Sequence, residues 1–160
     1  MTREFEGFVK LAVLLTACIS LDTHILVSTL QDTHLFQIDS GSTISRVESA
    51  TKGFISNLPT LAVSNIARRI VKGKQSTYVN SSLVVQVTPR GAFLLEFNIA
   101  TREFTQLAGW ELLEEGVKSN AKPLEIVAAS VNPSQVVLAL TGGRLITLTV
   151  TELDQFREVV

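Results

Sequence analysis

Apolar positions along the chain gather into three strand–turn–strand units. Ile25 to Ile38, Leu83 to Phe97 and Val136 to Val150 each hold an apolar run, a short polar turn and a second apolar run. Setting Leu30 beside Thr88 and Thr141 gives offsets of 58 and then 53 residues. Hairpins that recur at about 40–50 residues or a little more mark the blades of a β-propeller. Leu83-Val84-Val85, Phe93-Leu94-Leu95 and Val136-Val137-Leu138 are apolar at every position. A sheet with one wet face alternates, so these runs predict strands covered on both sides, as when blades stack around an axis. No stretch carries sustained helical periodicity, which argues against an α/β crossover fold. The expectation is all-β: two to three blades of antiparallel strands, a partial β-propeller.

The punctuation between runs adds detail. Asp39 to Ser42 and Asn98 to Arg102 read as turns. Thr88 to Gly91 reads as a turn in which Pro89 fixes φ and Gly91 supplies the permissive position. Gly142-Gly143 signals a two-residue primed turn. Ile44 to Glu48 forms a weaker outer strand, and Thr60 to Ile66 and Ile126 to Val131 open the units that follow. Trp110 to Gly116 fits a helical turn, and Arg68 to Ser82 reads as a loop.

The start of the chain sets a separate question. Leu11 to Leu21 is mostly apolar, about half the length that spans a bilayer. Leu15 to Cys18 resembles a lipoprotein signal box in which Cys18 is acylated after cleavage. However, Glu4 and Glu6 offset Arg3 and Lys10, so no positive region precedes the apolar core. A short buried element, or a stretch belonging to no blade, is the favoured reading. An exported, lipid-anchored β protein is the alternative.

Composition narrows the function classes. At 160 residues and 46% hydrophobic the chain fits one domain with a core. Fourteen basic against fifteen acidic residues give no global pull toward nucleic acid or anionic lipid. Nucleic-acid contact is therefore expected to be indirect or weak, and no membrane is expected as a partner. The single cysteine, Cys18, excludes an internal disulfide framework and a cysteine-rich zinc site.

Candidate chemistry is sparse. Asp22-Thr23-His24 recurs as Asp32-Thr33-His34, residue types that bind metals. Counting back along the first hairpin places the imidazoles ~20 Å apart at ~3.3 Å per residue, too far to share an ion. No Gly-x-Ser-x-Gly elbow occurs, and Cys18 has no nearby histidine on a defined scaffold. Thr141 to Arg144 superficially resembles a phosphate loop, but it lacks the Gly-Lys-Ser/Thr ending and a following helix. Glu4, Glu6, Glu114 and Glu115 read as solvated charges. The expectation is no enzyme, with no catalytic, cofactor-binding or metal-binding residues. One charge cluster stands out, Arg68, Arg69, Lys72 and Lys74. It forms a possible basic contact loop for phosphate or an acidic partner, or a localisation signal, although a solvated loop is the favoured reading. Asn80 to Ser82 fits the glycosylation sequon, which matters only for an exported chain.

Val131 to Leu145, Leu83 to Thr88 with Gly91, and Pro59 to Val63 resemble one family, in the order first hairpin, Gly53-Phe54, Pro-Thr-Leu, Gln-Val hairpin, Trp110, Asn-x-x-Gln-Val-Val. It comprises the multi-propeller scaffolds shared by the large subunit of the UV-damaged-DNA-binding complex, the third subunit of splicing factor 3b and the largest cleavage-and-polyadenylation subunit. The resemblance covers Thr23 to Val150 and looks like the beginning of the second propeller. It implies a domain division into residues 1–22, which do not match, and 23–160, an incomplete propeller. It also implies a non-enzymatic nuclear scaffold with no cofactor, bound to protein subunits of a cullin-type ligase or an RNA-processing assembly. Gln-Val-Thr and Ser-Gln-Val-Val lean toward the damaged-DNA subunit, a ubiquitin-ligase adaptor in DNA repair. A splicing or 3′-end-processing scaffold is the alternative. The basic loop Arg68 to Tyr78 is longer than the family usually has at that place, and no family contact residue maps onto this sequence.

Overall fold

A computed structural model describes residues 15–19 (backbone alone), 24–28, 32–38, 40–41, 43–47, 51–79, 83–98, 100–113 and 123–159. These residues form fourteen strands and no helix. β1 (Leu15–Ile19), β2 (His24–Ser28), β3 (Thr33–Ile38) and β4 (Ile44–Val47) make an antiparallel sheet in sequence order. β5 (Ala62–Asn65) opens the second sheet. It is followed by a separate hairpin of β6 (Arg68–Lys72) and β7 (Gln75–Val79), then by β8 (Leu83–Thr88), β9 (Gly91–Asn98) and β10 (Glu103–Glu111), giving the order β10-β9-β8-β5. β11 (Ile126–Val131), β12 (Val136–Leu140), β13 (Leu145–Val150) and β14 (Phe156–Val159) form the third sheet, again in sequence order. β1, β5 and β11 are the first strands of their sheets, and β5 neighbours both of the others. Three four-stranded blades thus fan out from their opening strands, as in a propeller.

The three sequence repeats are the middle hairpins β2–β3, β8–β9 and β12–β13. Blade 2 explains their apolar density. Every residue of β8 is buried, as are Gly91 to Leu95 of β9. Successive side chains point to opposite faces of a strand, and here both faces are covered. Leu83, Val85, Val87, Ala92 and Leu94 pack against Val136, Leu138, Leu140, Ile146 and Leu148 of blade 3. Val84, Phe93, Leu95 and Phe97 pack with Leu26 and Leu35 of blade 1. At about 1.5–3 kcal/mol per buried large apolar side chain, these two inter-blade layers dominate the fold's stability.

Blades 1 and 3 differ from the expectation that all runs are covered on both faces. β2 and β12 alternate buried and half-buried positions. Val137, paired with Thr147, and Ala139, paired with Leu145, look away from blade 2, and Leu145 is 68% exposed. The physical reason is position: only blade 2 has a blade on either side among the described residues.

Several local expectations also change. The apolar segment before residue 22 does belong to a blade, because β1 pairs with β2 in register from Leu15↔Ser28 to Ile19↔His24. Cleavage ahead of Cys18 would cut this strand. Trp110 and Glu111 extend β10 instead of starting a helical turn, and 114–116 lie outside the described residues. Gly142 has φ 91 while Thr141 is not in the left-handed region, and the Gly143 amide donates to the Leu140 carbonyl at 3.1 Å. Positive φ at only the second central residue marks a type II turn, where a primed two-residue turn was expected. Gly91 has no positive φ. It is required because a Cβ there would lie 2.4 Å from the Trp110 carbonyl oxygen.

Candidate interaction surface

The residues that carry the family resemblance turn out to wire the blades together. Gln86 is fully buried. Its Oε1 accepts from the Ile55 amide at 2.8 Å, and its Nε2 donates to the Ile55 carbonyl at 2.9 Å and to Thr60 Oγ1 at 2.8 Å. A primary amide in the interior needs such partners, and here they fix the segment that leads from blade 1 into β5. Phe54 of that segment packs edge-on to Phe104, centroids 4.9 Å apart. Asn132 Oδ1 accepts from the Ser134 and Gln135 amides at 2.9 and 3.0 Å, shaping the β11–β12 turn. That turn presents the Pro133 carbonyl to the Ala67 amide at 2.8 Å.

The expected basic loop is a hairpin. β6 and β7 pair from Arg68↔Val79 to Lys72↔Gln75, turning over Gly73 at φ 62. The hairpin is docked on blade 3: Arg69 makes a parallel bridge to Thr151, beside the Ala67–Pro133 bond. Arg68 is engaged and not available as a contact cation. Its guanidinium grips Asp154 with two bonds, Nε to Oδ1 and Nη2 to Oδ2, the latter at 3.0 Å, and reaches Glu96 at 3.2 Å. Asp154 sits at φ 55 in the turn after β13, a backbone region that Asp tolerates better than most residues. The bond to Asp154, reinforced by Glu96, raises the Arg68 pKa against the opposing effect of burial. Arg68 thereby clamps blade 2 to blade 3. Lys72 and Lys74 are exposed around the hairpin tip, and Arg69 is half-buried at its base. Val71, Tyr78 and Val79 are 54%, 46% and 46% exposed, so the hairpin offers an apolar and basic surface together.

The doubled Asp-Thr-His does not converge. His24 lies opposite Gln37 and His34 opposite Val27, three positions apart in register. That is about 10 Å, half the separation expected from sequence, but the two residues are on opposite faces of the sheet. His24 is buried toward blade 2, its ring 5.4 Å from Phe97. Burial, with a smaller effect of the Arg102 charge, lowers its pKa below the ordinary histidine value. Asp22 and Thr23 lie outside the described residues, as do Glu4, Glu6, Glu114, Glu115 and the sequon Asn80 to Ser82. The described residues contain no group of three or more His, Cys, Asp or Glu placed to hold a metal. No helix among them is long and apolar enough to cross a membrane.

The family model described as the RSE1/DDB1/CPSF1 second beta-propeller matches residues 11–160. The chain belongs to this family. Propellers of the family are protein-interaction scaffolds. The match starts ahead of the 22/23 division expected from sequence, and β1 lies within it. A comparison with curated proteins returned no match.

Proposed function

We propose that the chain is a non-enzymatic protein–protein scaffold of a nuclear complex, of the damaged-DNA-binding and ubiquitin-ligase-adaptor type. The observation that carries this reading is the family match along 11–160, coinciding with three stacked blades. The buried polar residues Gln86, Thr60 and Thr88 have structural bonds. The surface chemistry suits protein partners, since one face of the hairpin sets Val71 and Tyr78 beside Arg69, and aromatic and arginine side chains are enriched at interfaces. Nucleic acid is reached through those partners, in keeping with a net charge of −1.

Affinity purification of the tagged chain from its own cells, with identification of the bound proteins, tests the proposal. Recovery of cullin-ligase subunits is the expected result. Recovery of splicing or 3′-end-processing subunits would move the chain to the RNA-processing branch of the family. Cytoplasmic or envelope localisation with no stable partners would overturn the reading.

A further inference from the structure

We propose that the concavity between the β6–β7 hairpin and β14 receives an acidic, apolar-flanked peptide segment of a partner protein. This rests on the scaffold reading above. The concavity measures about 350 Å³ and is lined by Arg69, Arg157, Glu158 and Val159. Arg69 Nε is buried and has no hydrogen-bond partner. Arg69 as a whole is only half-buried, so its guanidinium can meet an arriving carboxylate through the terminal nitrogens. The bridge from Arg69 to Thr151 fixes the backbone from which this side chain extends. Arg157 supplies a second guanidinium on β14. The one acid in the lining, Glu158, accepts from Trp110 Nε1 at 3.2 Å, leaving two cations to one engaged carboxylate.

The guanidinium fork matches a carboxylate in two-bond geometry. Register places Tyr78 opposite Arg69 and Ser76 opposite Val71, so Tyr78 and Val71 share the hairpin face of Arg69. Apolar side chains of the ligand then have a place beside its acids. Val159 in the same lining offers apolar surface that a phosphate cannot use.

The test is fluorescence anisotropy of the full chain with a labelled Glu-Leu-Glu-Leu-Glu peptide, using Gln-Leu-Gln-Leu-Gln and inorganic phosphate as controls. Saturable binding of the acidic peptide is expected. Arg69→Gln and Arg157→Gln should each weaken it about tenfold or more, the range of a hydrogen bond to a charged group. Lys74→Gln at the hairpin tip should change it less than about twofold, as expected for a screened surface charge. Arg157 is exposed, so its variant keeps the test valid should Arg69→Gln perturb folding. Absence of saturable binding, equal losses in all three variants, or competition by phosphate as strong as by unlabelled peptide would each overturn the proposal. If peptide binding fails while the tagged chain still recovers nuclear subunits, this site falls and the scaffold reading stands. If no subunits are recovered, the scaffold reading itself falls.

Discussion

Replacing Gln86 with leucine removes the side chain that hydrogen-bonds the blade 1–blade 2 connection to the middle of blade 2. Leucine has a similar volume, so the packing of Val84 and Leu95 around it is largely kept while three hydrogen bonds are lost. The Ile55 amide and carbonyl and the Thr60 hydroxyl are left without Gln86. A buried polar group deprived of its partner costs about 1–3 kcal/mol. Ile55 is half-buried and water re-solvates part of it, so a total of about 3 kcal/mol is expected. At 1.4 kcal/mol per factor of ten, that is about a hundredfold faster exchange of the Ile55 amide by local opening. Hydrogen exchange followed by mass spectrometry of a peptide spanning 51–60 reads this directly, with β8 and β9 as the internal reference. Exchange of the Ile55 amide within about threefold of wild type would refute the assignment of Gln86 as the anchor, since it corresponds to well under 1 kcal/mol.

Three further outcomes follow from the same structure. Gly91→Ala places a Cβ against the Trp110 carbonyl at 2.4 Å, and the forced shift of β10 should cost about 1–3 kcal/mol in chemical denaturation; a neutral result would mean that β10 moves freely. His24 titrates below its ordinary value in the folded state, so the unfolded state binds the proton more readily. Stability should therefore be constant above the unfolded pKa of about 6.5 and fall as pH drops below it, until the folded pKa is reached; His24→Gln should flatten this slope in a pH series of melts. A double-mutant cycle of Arg68→Ala and Asp154→Asn should return a coupling of about 1 kcal/mol, since the pair is two-pronged but partly exposed, and a coupling near zero would remove the blade 2–blade 3 clamp.

The repeat spacing and the apolar runs made the blades legible in the sequence, because a strand buried on both faces is apolar except where a polar side chain finds hydrogen-bond partners. The same rule failed at Val136-Val137-Leu138, where apolar residues line a face that no described blade covers. β1 was missed because a short apolar run beside Cys18 carries no periodicity to separate a strand from a signal core. The β6–β7 hairpin was hidden by its charges, although Arg69-Ile70-Val71 before Lys72-Gly73-Lys74, with Thr77-Tyr78-Val79 after it, held the β-branched and glycine signals of a strand, turn and strand. The commitment of Arg68 to Asp154 was not legible, because the two are 86 positions apart and meet only once blades 2 and 3 stack. Gln86 entered the sequence reading only within the Gln-Val stretch that carries the resemblance, and its bonds to Ile55 and Thr60 emerge only once the connection folds over β8.

Among the described residues, the outer faces of blades 1 and 3 carry apolar side chains that no neighbouring blade covers. Ile25, Val27, Phe36 and Ile38 on blade 1 are half-buried, and Val127 and Leu145 on blade 3 are 55% and 68% exposed. Apolar side chains left uncovered in this way favour association. Sedimentation velocity of the 160-residue chain across a range of concentrations reads whether these faces associate. Species that grow with concentration are expected, and a monodisperse monomer at every concentration, with a single cooperative melt, would show that these faces need no cover.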